Sequence, residues 1–227
     1  MHIEQKIYLK NPNKNFTIFK WKFGKTENKD LLNESIDRAN KYAKNLNNRL
    51  AKDTELIRDE NNVMLDAIAG EIACLTWSKS LQQFAKYKNS MFKPEHDKYI
   101  NGNQIDIYNS SNSKTIEIRS SFVRYKKNIE EILETYSSIG WYSNSVKRYE
   151  EKKDFHLQAI FPFPRNNFLD NIDQTFEIYL TGGGDSRLFE ESTYAKYQKW
   201  GTDSSYRIIK PMRFGFDALE CCELITI

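Results

Sequence analysis

A chain of 227 residues with 39% apolar and 29% charged side chains, including fourteen Phe, thirteen Tyr and four Trp, supports one well-buried core and excludes a disordered protein. A net charge of +3 excludes a nucleic-acid footprint spread over the whole surface, so any contact with phosphates has to be local. Cys74, Cys221 and Cys222 are too few for a disulfide framework, no His/Cys grouping has zinc spacing, and neither a signal peptide nor a transmembrane run of about 18 residues is present; the expected setting is a reducing cytoplasm with no membrane.

In chain order, "KIYLK" and "FTIFKWKF" are candidate strands of a hairpin within residues 1–28. A helical period follows from Lys29 to about Leu50, and "DENNVMLDAIAGEIACLTWSKSLQQFA" predicts a second, more buried helix. Between Tyr99 and Phe122 the period switches to two, and "KKNIEEILETYSSI" returns it to helical. Two apolar strands, "DFHLQAIFPF" and "TFEIYLT", come next, with Gly182, Gly183 and Gly184 expected as a turn after the second. A tail of aromatic and basic residues closes the fold. The order predicts a single α/β domain, a mixed central β-sheet flanked by helices, with residues 1–55 as an N-terminal extension and 60–215 as the core.

The segment "QIDIYNSSNSKTIEIRSS" carries the chemistry. In "KTIEIRSS" alternation sends Ile116 and Ile118 to one side and Glu117, Arg119 and Ser121 to the other. A loop of about five residues, "NSSNS", has a suitable length to bring "QIDIY" alongside, so Asp106 and Glu117 are expected on one face. Two close carboxylates repel unless a cation compensates, and oxygen donors suit Mg²⁺ or Mn²⁺. An ion of that kind polarises a phosphodiester and activates water for hydrolysis. The plain alternative is an amphipathic hairpin whose polar face meets solvent.

This segment resembles the PD-(D/E)XK nuclease superfamily, whose restriction-endonuclease-like αβββαβ core binds metal through an Asp on one strand and an (Asp/Glu)-x-Lys on the next. Asp106 matches the first acid and Glu117 the second, while Arg119 stands where the family usually has lysine. "AGEIACLTW" resembles the preceding helix, mapping its additional glutamate onto Glu71, and "IEIRSSF" resembles the acid-hydrophobe-Lys-Ser/Thr strand. The resemblance spans about residues 60–215. It implies a deoxyribonuclease using Mg²⁺ (or Mn²⁺), ligated by Asp106, Glu117 and the Ile118 carbonyl, with DNA as partner and possible homodimers. A nuclease-like fold without cutting activity, retained as a DNA-binding or protein-interaction module, is the second expectation.

Glu71 lies on the edge of the apolar stripe made by Leu65, Ile68, Ile72 and Leu75, where an unpaired carboxylate is costly. A metal-bound water, Arg119 or a nearby lysine could partner it. Arg119 stays protonated at any ordinary pH, so its expected role is to grip the scissile phosphate and stabilise developing charge. Lys114, Lys126 or Lys127 could supply the missing amine. For phosphate contacts the candidates are Arg124, Lys126 and Lys127 after the hairpin, and Lys196, Lys199, Arg207, Lys210 and Arg213 among the aromatics of the tail. The alternatives are a solvated basic turn for the first set and core packing for the aromatics of the second. Cys221 and Cys222 are expected to be packed thiols.

Overall fold

The computed structural model describes residues 2–9, 14–43, 60–84, 92–94, 106–143, 152–200 and 204–226. Two strands, β1 (His2–Leu9) and β2 (Lys14–Phe23), pair antiparallel and lead into the helices α1 (Lys29–Ala43) and α2 (Glu60–Phe84). Three antiparallel strands follow, β3 (Phe92–Pro94), β4 (Ile107–Asn109) and β5 (Lys114–Phe122). Then come α3 (Ile129–Thr135), β6 (Ser138–Ser143) and β7 (Phe155–Phe161), which runs parallel to β5. The chain closes with α4 (Phe168–Ile172), β8 (Phe176–Asp185), α5 (Ser186–Glu191), β9 (Ala195–Trp200), β10 (Ser204–Ile209) and α6 (Ala218–Thr226).

The fold is mixed α/β, as expected. One seven-stranded sheet runs β1-β2-β8-β7-β5-β4-β3, and β6-β10-β9 form a second sheet of three strands. The order α2, β3, β4, β5, α3, β6, β7 reduces to an αβββαβ succession once β6, a strand of the second sheet, is set aside, and the crossover between parallel β5 and β7 carries both α3 and β6. Asn128 caps α3 reciprocally with Glu131, its side chain accepting from the Glu131 N–H (2.8 Å) while its own N–H donates to the Glu131 carboxylate (3.1 Å). The N-terminal hairpin extends the main sheet, because β2 pairs antiparallel with β8.

Strand alternation assigns the two faces of the main sheet. Phe19, Trp21 and Phe23 of β2, Ile116 and Ile118 of β5, and Phe155, Leu157, Ala159 and Phe161 of β7 share a core with α1, α2 and α6. Phe16 and Ile18, at the other parity of β2, join Ile160, Ile129, Ile132 and Leu133 beneath α3. Both faces are therefore covered, which explains why β7 is buried along its whole length. The odd-even rule places Glu117 and Arg119 of β5, with His156 and Gln158 of β7, on the face away from α2.

Two expectations change. "SSIGWY" does not continue the helix: α3 ends at Thr135, the Tyr136 N–H closes it on the Ile132 carbonyl, and β6 begins at Ser138. Nor are the three glycines a turn after a strand, since β8 runs through them to Asp185. Gly182 and Gly183 have φ of +96° and +152°, and a Cβ on either would lie 2.0 Å from a carbonyl oxygen, that of Phe216 or His156 respectively. The glycines let β8 pass between β7 and the segment before α6, where Gly183 and Phe216 exchange backbone hydrogen bonds, and the β7–β8 register shifts beside them.

Candidate functional site

The described pairing of β4 with β5 reaches Ile107 opposite Ile116, so one further step back sets Asp106 against Glu117. Asp106 is instead in a bend, and its carboxylate accepts the Ile118 N–H at 2.7 Å. Among the described residues the β4–β5 pairing ends at Ile107, and the acid side chain satisfies a β5 donor beyond it. Asp106 is thus held at the peptide joining Glu117 to Ile118. Cys74 donates to the Asp106 carbonyl (3.2 Å), so α2 passes beside the same point one turn beyond Glu71.

Glu117 and Arg119 face the same way, and Arg119 Nη1 pairs with Glu117 Oε1 at 3.1 Å. Its Nε and Nη2 donate to the Gly140 carbonyl of β6 (3.3 and 3.2 Å), and the guanidinium lies 5.2 Å from the centre of the Tyr142 ring. The side chains of Glu117 and Arg119 keep 12% and 16% of their surface exposed, so both still meet solvent. Asp106 meets β5 at Ile118, while the flanking Glu117 and Arg119 pair with each other. Glu71 is held by Arg38 of α1, whose Nε lies 2.8 Å from its carboxylate, an arginine from another helix that the sequence did not point to.

In the sequence His156 has no G-x-S-x-G or H-E-x-x-H context, and Lys153 has no assigned role. His156 stands opposite Glu117 in the parallel register, almost fully buried against Trp141 and Phe189, and among the described residues neither ring nitrogen has a hydrogen-bond partner. Burial, then the charges of Arg119 and Lys153, pull its pKa down to about 3, so the imidazole is neutral at ordinary pH. Lys153 is itself only 4% exposed. Gln158 bridges the two sheets, donating to Ser121 Oγ (2.8 Å) and accepting from the Ile139 N–H (3.3 Å). The signal was legible: polar residues at alternate positions of an otherwise apolar strand mark a face that does something besides fill a core.

The basic residues separate by role. Lys114 pairs with Asp154 at 2.8 Å and lies at the opposite parity of β5 from Glu117 and Arg119. Arg124 and Lys126 are exposed on the loop after β5, with Lys127 partly covered. Arg207 holds the carbonyls of Phe189 and Glu190 at the end of α5, and Arg213 pairs with Glu134 of α3, so both have structural partners. Lys196, Lys199 and Lys210 are exposed, the first two at opposite parities of β9. Tyr206 stacks on Tyr142 and Tyr194 on Phe214, so these two aromatics of the tail are engaged within the fold. Cys221 and Cys222 are buried free thiols whose pKa values burial pushes up, as expected of packed thiols. Among the described residues no helix is long and apolar enough to cross a membrane.

An uncharacterized protein of Methanocaldococcus jannaschii is 26% identical to this chain, the match covering 74% of the chain and 73% of that protein. No family model and no solved structure matches.

Proposed function

We propose that the chain is a metal-dependent endonuclease that hydrolyses DNA phosphodiester bonds, of the restriction or host-defence type. The observation that carries this reading is the Asp106 carboxylate held on the Ile118 N–H just beyond the described β4–β5 pairing, with Glu117 and Arg119 flanking that peptide within an αβββαβ succession. Asp106, Glu117 and the Ile118 carbonyl offer the hard oxygens that Mg²⁺ or Mn²⁺ prefers. Among the described residues no three acidic, His or Cys side chains form a metal-holding group, but Mg²⁺ keeps several waters and is often held by one or two carboxylates. The ion would supply a water acidic enough to attack phosphorus.

Arg119 cannot take that water's proton. A bidentate phosphate contact would require it to give up part of its present hold on Glu117 and Gly140, after which its fixed charge would stabilise the negative oxygens of the pentacoordinate transition state. Glu71, paired with Arg38, supports the site by fixing α2 beside Asp106. A two-fold dimer would offer one site to each strand of a duplex.

The second reading is a nuclease-like module that binds without cutting. It is favoured by the ion pairs that already occupy Glu117 and Glu71.

Plasmid cleavage with Mg²⁺ or Mn²⁺ decides between them. The wild type should nick or linearise DNA, with chelation, Asp106→Asn or Glu117→Gln each reducing the rate by at least about a hundredfold. Metal-dependent cleavage that survives both substitutions would remove the site; DNA binding without cleavage would establish the module.

A further inference from the structure

Beyond the carboxyl ends of parallel β5 and β7 opens a cleft of about 640 Å³, bordered by the first turns of α2 and the segment Pro164–Asn166. Crevices at this end of parallel strands are where α/β sheets commonly bind ligands, and the volume falls in the range of about 300–1,000 Å³ typical of small-molecule sites. Ser121 lines the cleft and shares its β5 face with Glu117 and Arg119. Four residues at about 3.3 Å each place it roughly 13 Å along the strand from Glu117, close to four steps of a duplex at about 3.4 Å per step.

The two walls differ in chemistry. Phe122, Leu65 and Pro164 are apolar, and the Phe122 ring is fixed by Phe161 (centroids 4.7 Å apart) and Phe168 (5.2 Å), giving a rigid flat surface. Arg165 is spoken for, by Asp66 at 2.9 Å and the Asn62 carbonyl at 2.7 Å. Arg124 is exposed and has no ion-pair partner among the described residues, and its guanidinium rests 5.4 Å from the Tyr125 ring centre. A cleft lined by both a rigid apolar ring and a cation without an ion-pair partner among the described residues suits a ligand with a flat ring and an anion.

We propose that this cleft holds one nucleotide of the bound DNA strand, its phosphate on Arg124 and its base against Phe122 and Leu65, about four steps from the scissile bond. The inference rests on the nuclease reading for its substrate. It makes separate predictions about binding. The Arg124 N–H donates to Tyr136 Oη, a backbone contact that side-chain replacement leaves in place.

The test is ligand-observed NMR titration of the full chain with deoxyadenosine monophosphate in EDTA, using Arg124→Glu, Asn166→Asp and, as a distant control, Lys79→Glu. Arg124→Glu should weaken binding about tenfold or more, Asn166→Asp less, and Lys79→Glu not at all, with inorganic phosphate a poor competitor. A thermal melt of each variant reports whether it folds, and a failed Arg124→Glu is replaced by Arg124→Gln. Absence of nucleotide binding, indifference to Arg124 replacement, or equal competition by phosphate overturns the cleft. Because no metal is present, nucleotide binding that depends on Arg124 in a chain that never cuts DNA discards the nuclease reading alone. Asp106-dependent cleavage with an indifferent Arg124 discards the cleft alone.

Discussion

Asp106 has a structural duty and a proposed chemical one, and the two separate by substitution. Removing its carboxylate strands the buried Ile118 N–H, an unsatisfied donor that costs about 1–3 kcal/mol. Asp106→Ala should therefore lower the urea unfolding free energy by that amount, whereas Asp106→Asn keeps an acceptor and should lose under about 1 kcal/mol. Equal destabilisation by both would show that the hydrogen bond does not hold the bend. His156 offers a second test, through pH. It is neutral in the native state down to about pH 3 but takes a proton near pH 6.5 when unfolded, so between those values the unfolded chain binds more protons. Its contribution to stability is complete above pH 6.5 and is lost as the pH falls, with a slope on the order of 1.4 kcal/mol per pH unit. His156→Leu should flatten the unfolding free energy measured between pH 6.5 and 5; an unchanged slope would place the titration elsewhere.

At the level of elements, β8 depends on glycine where β7 and the segment before α6 crowd it. Gly183→Ala places a methyl group 2.0 Å from the His156 carbonyl at a φ of +152°, and should destabilise by roughly 2–4 kcal/mol in thermal or urea unfolding. A loss under about 0.5 kcal/mol would mean that β8 relaxes freely there. The glycines also show where sequence reading stops. Alternation in "KTIEIRSS" identified a strand because each face meets a different environment, and the apolar run of "DFHLQAIFPF" identified one covered on both faces. Gly-Gly-Gly has no side chains to alternate, so strand and turn look alike until the neighbours crossing it are known. The break at Ser138 was hidden for a similar reason, since "SSI" suits the end of a helix as well as the start of β6.

Across the whole molecule, α2, α3, β4, β5 and β7 were legible because each carries its own period, whereas β6 and the three-residue β3 were not, and strand parity placed Glu117 and Arg119 on one face of β5. The partner of Glu71 was not legible. Arg38 reaches it only through the packing of α1 on α2, a contact that no local spacing encodes. The same holds for His156, which neighbours Glu117 because β5 and β7 pair in parallel across a connection that includes α3 and β6. Lys153, close enough to depress the His156 pKa, came into view with that pairing. Long-range pairing thus assembled a buried polar cluster around a motif that sequence had only half described. The most direct measurement of its purpose is anomalous diffraction from crystals soaked in Mn²⁺. The account predicts a Mn²⁺ peak within about 2.5 Å of carboxylate oxygens of both Asp106 and Glu117. No peak there at saturating Mn²⁺, with Arg119 still locked on Glu117, would contradict it.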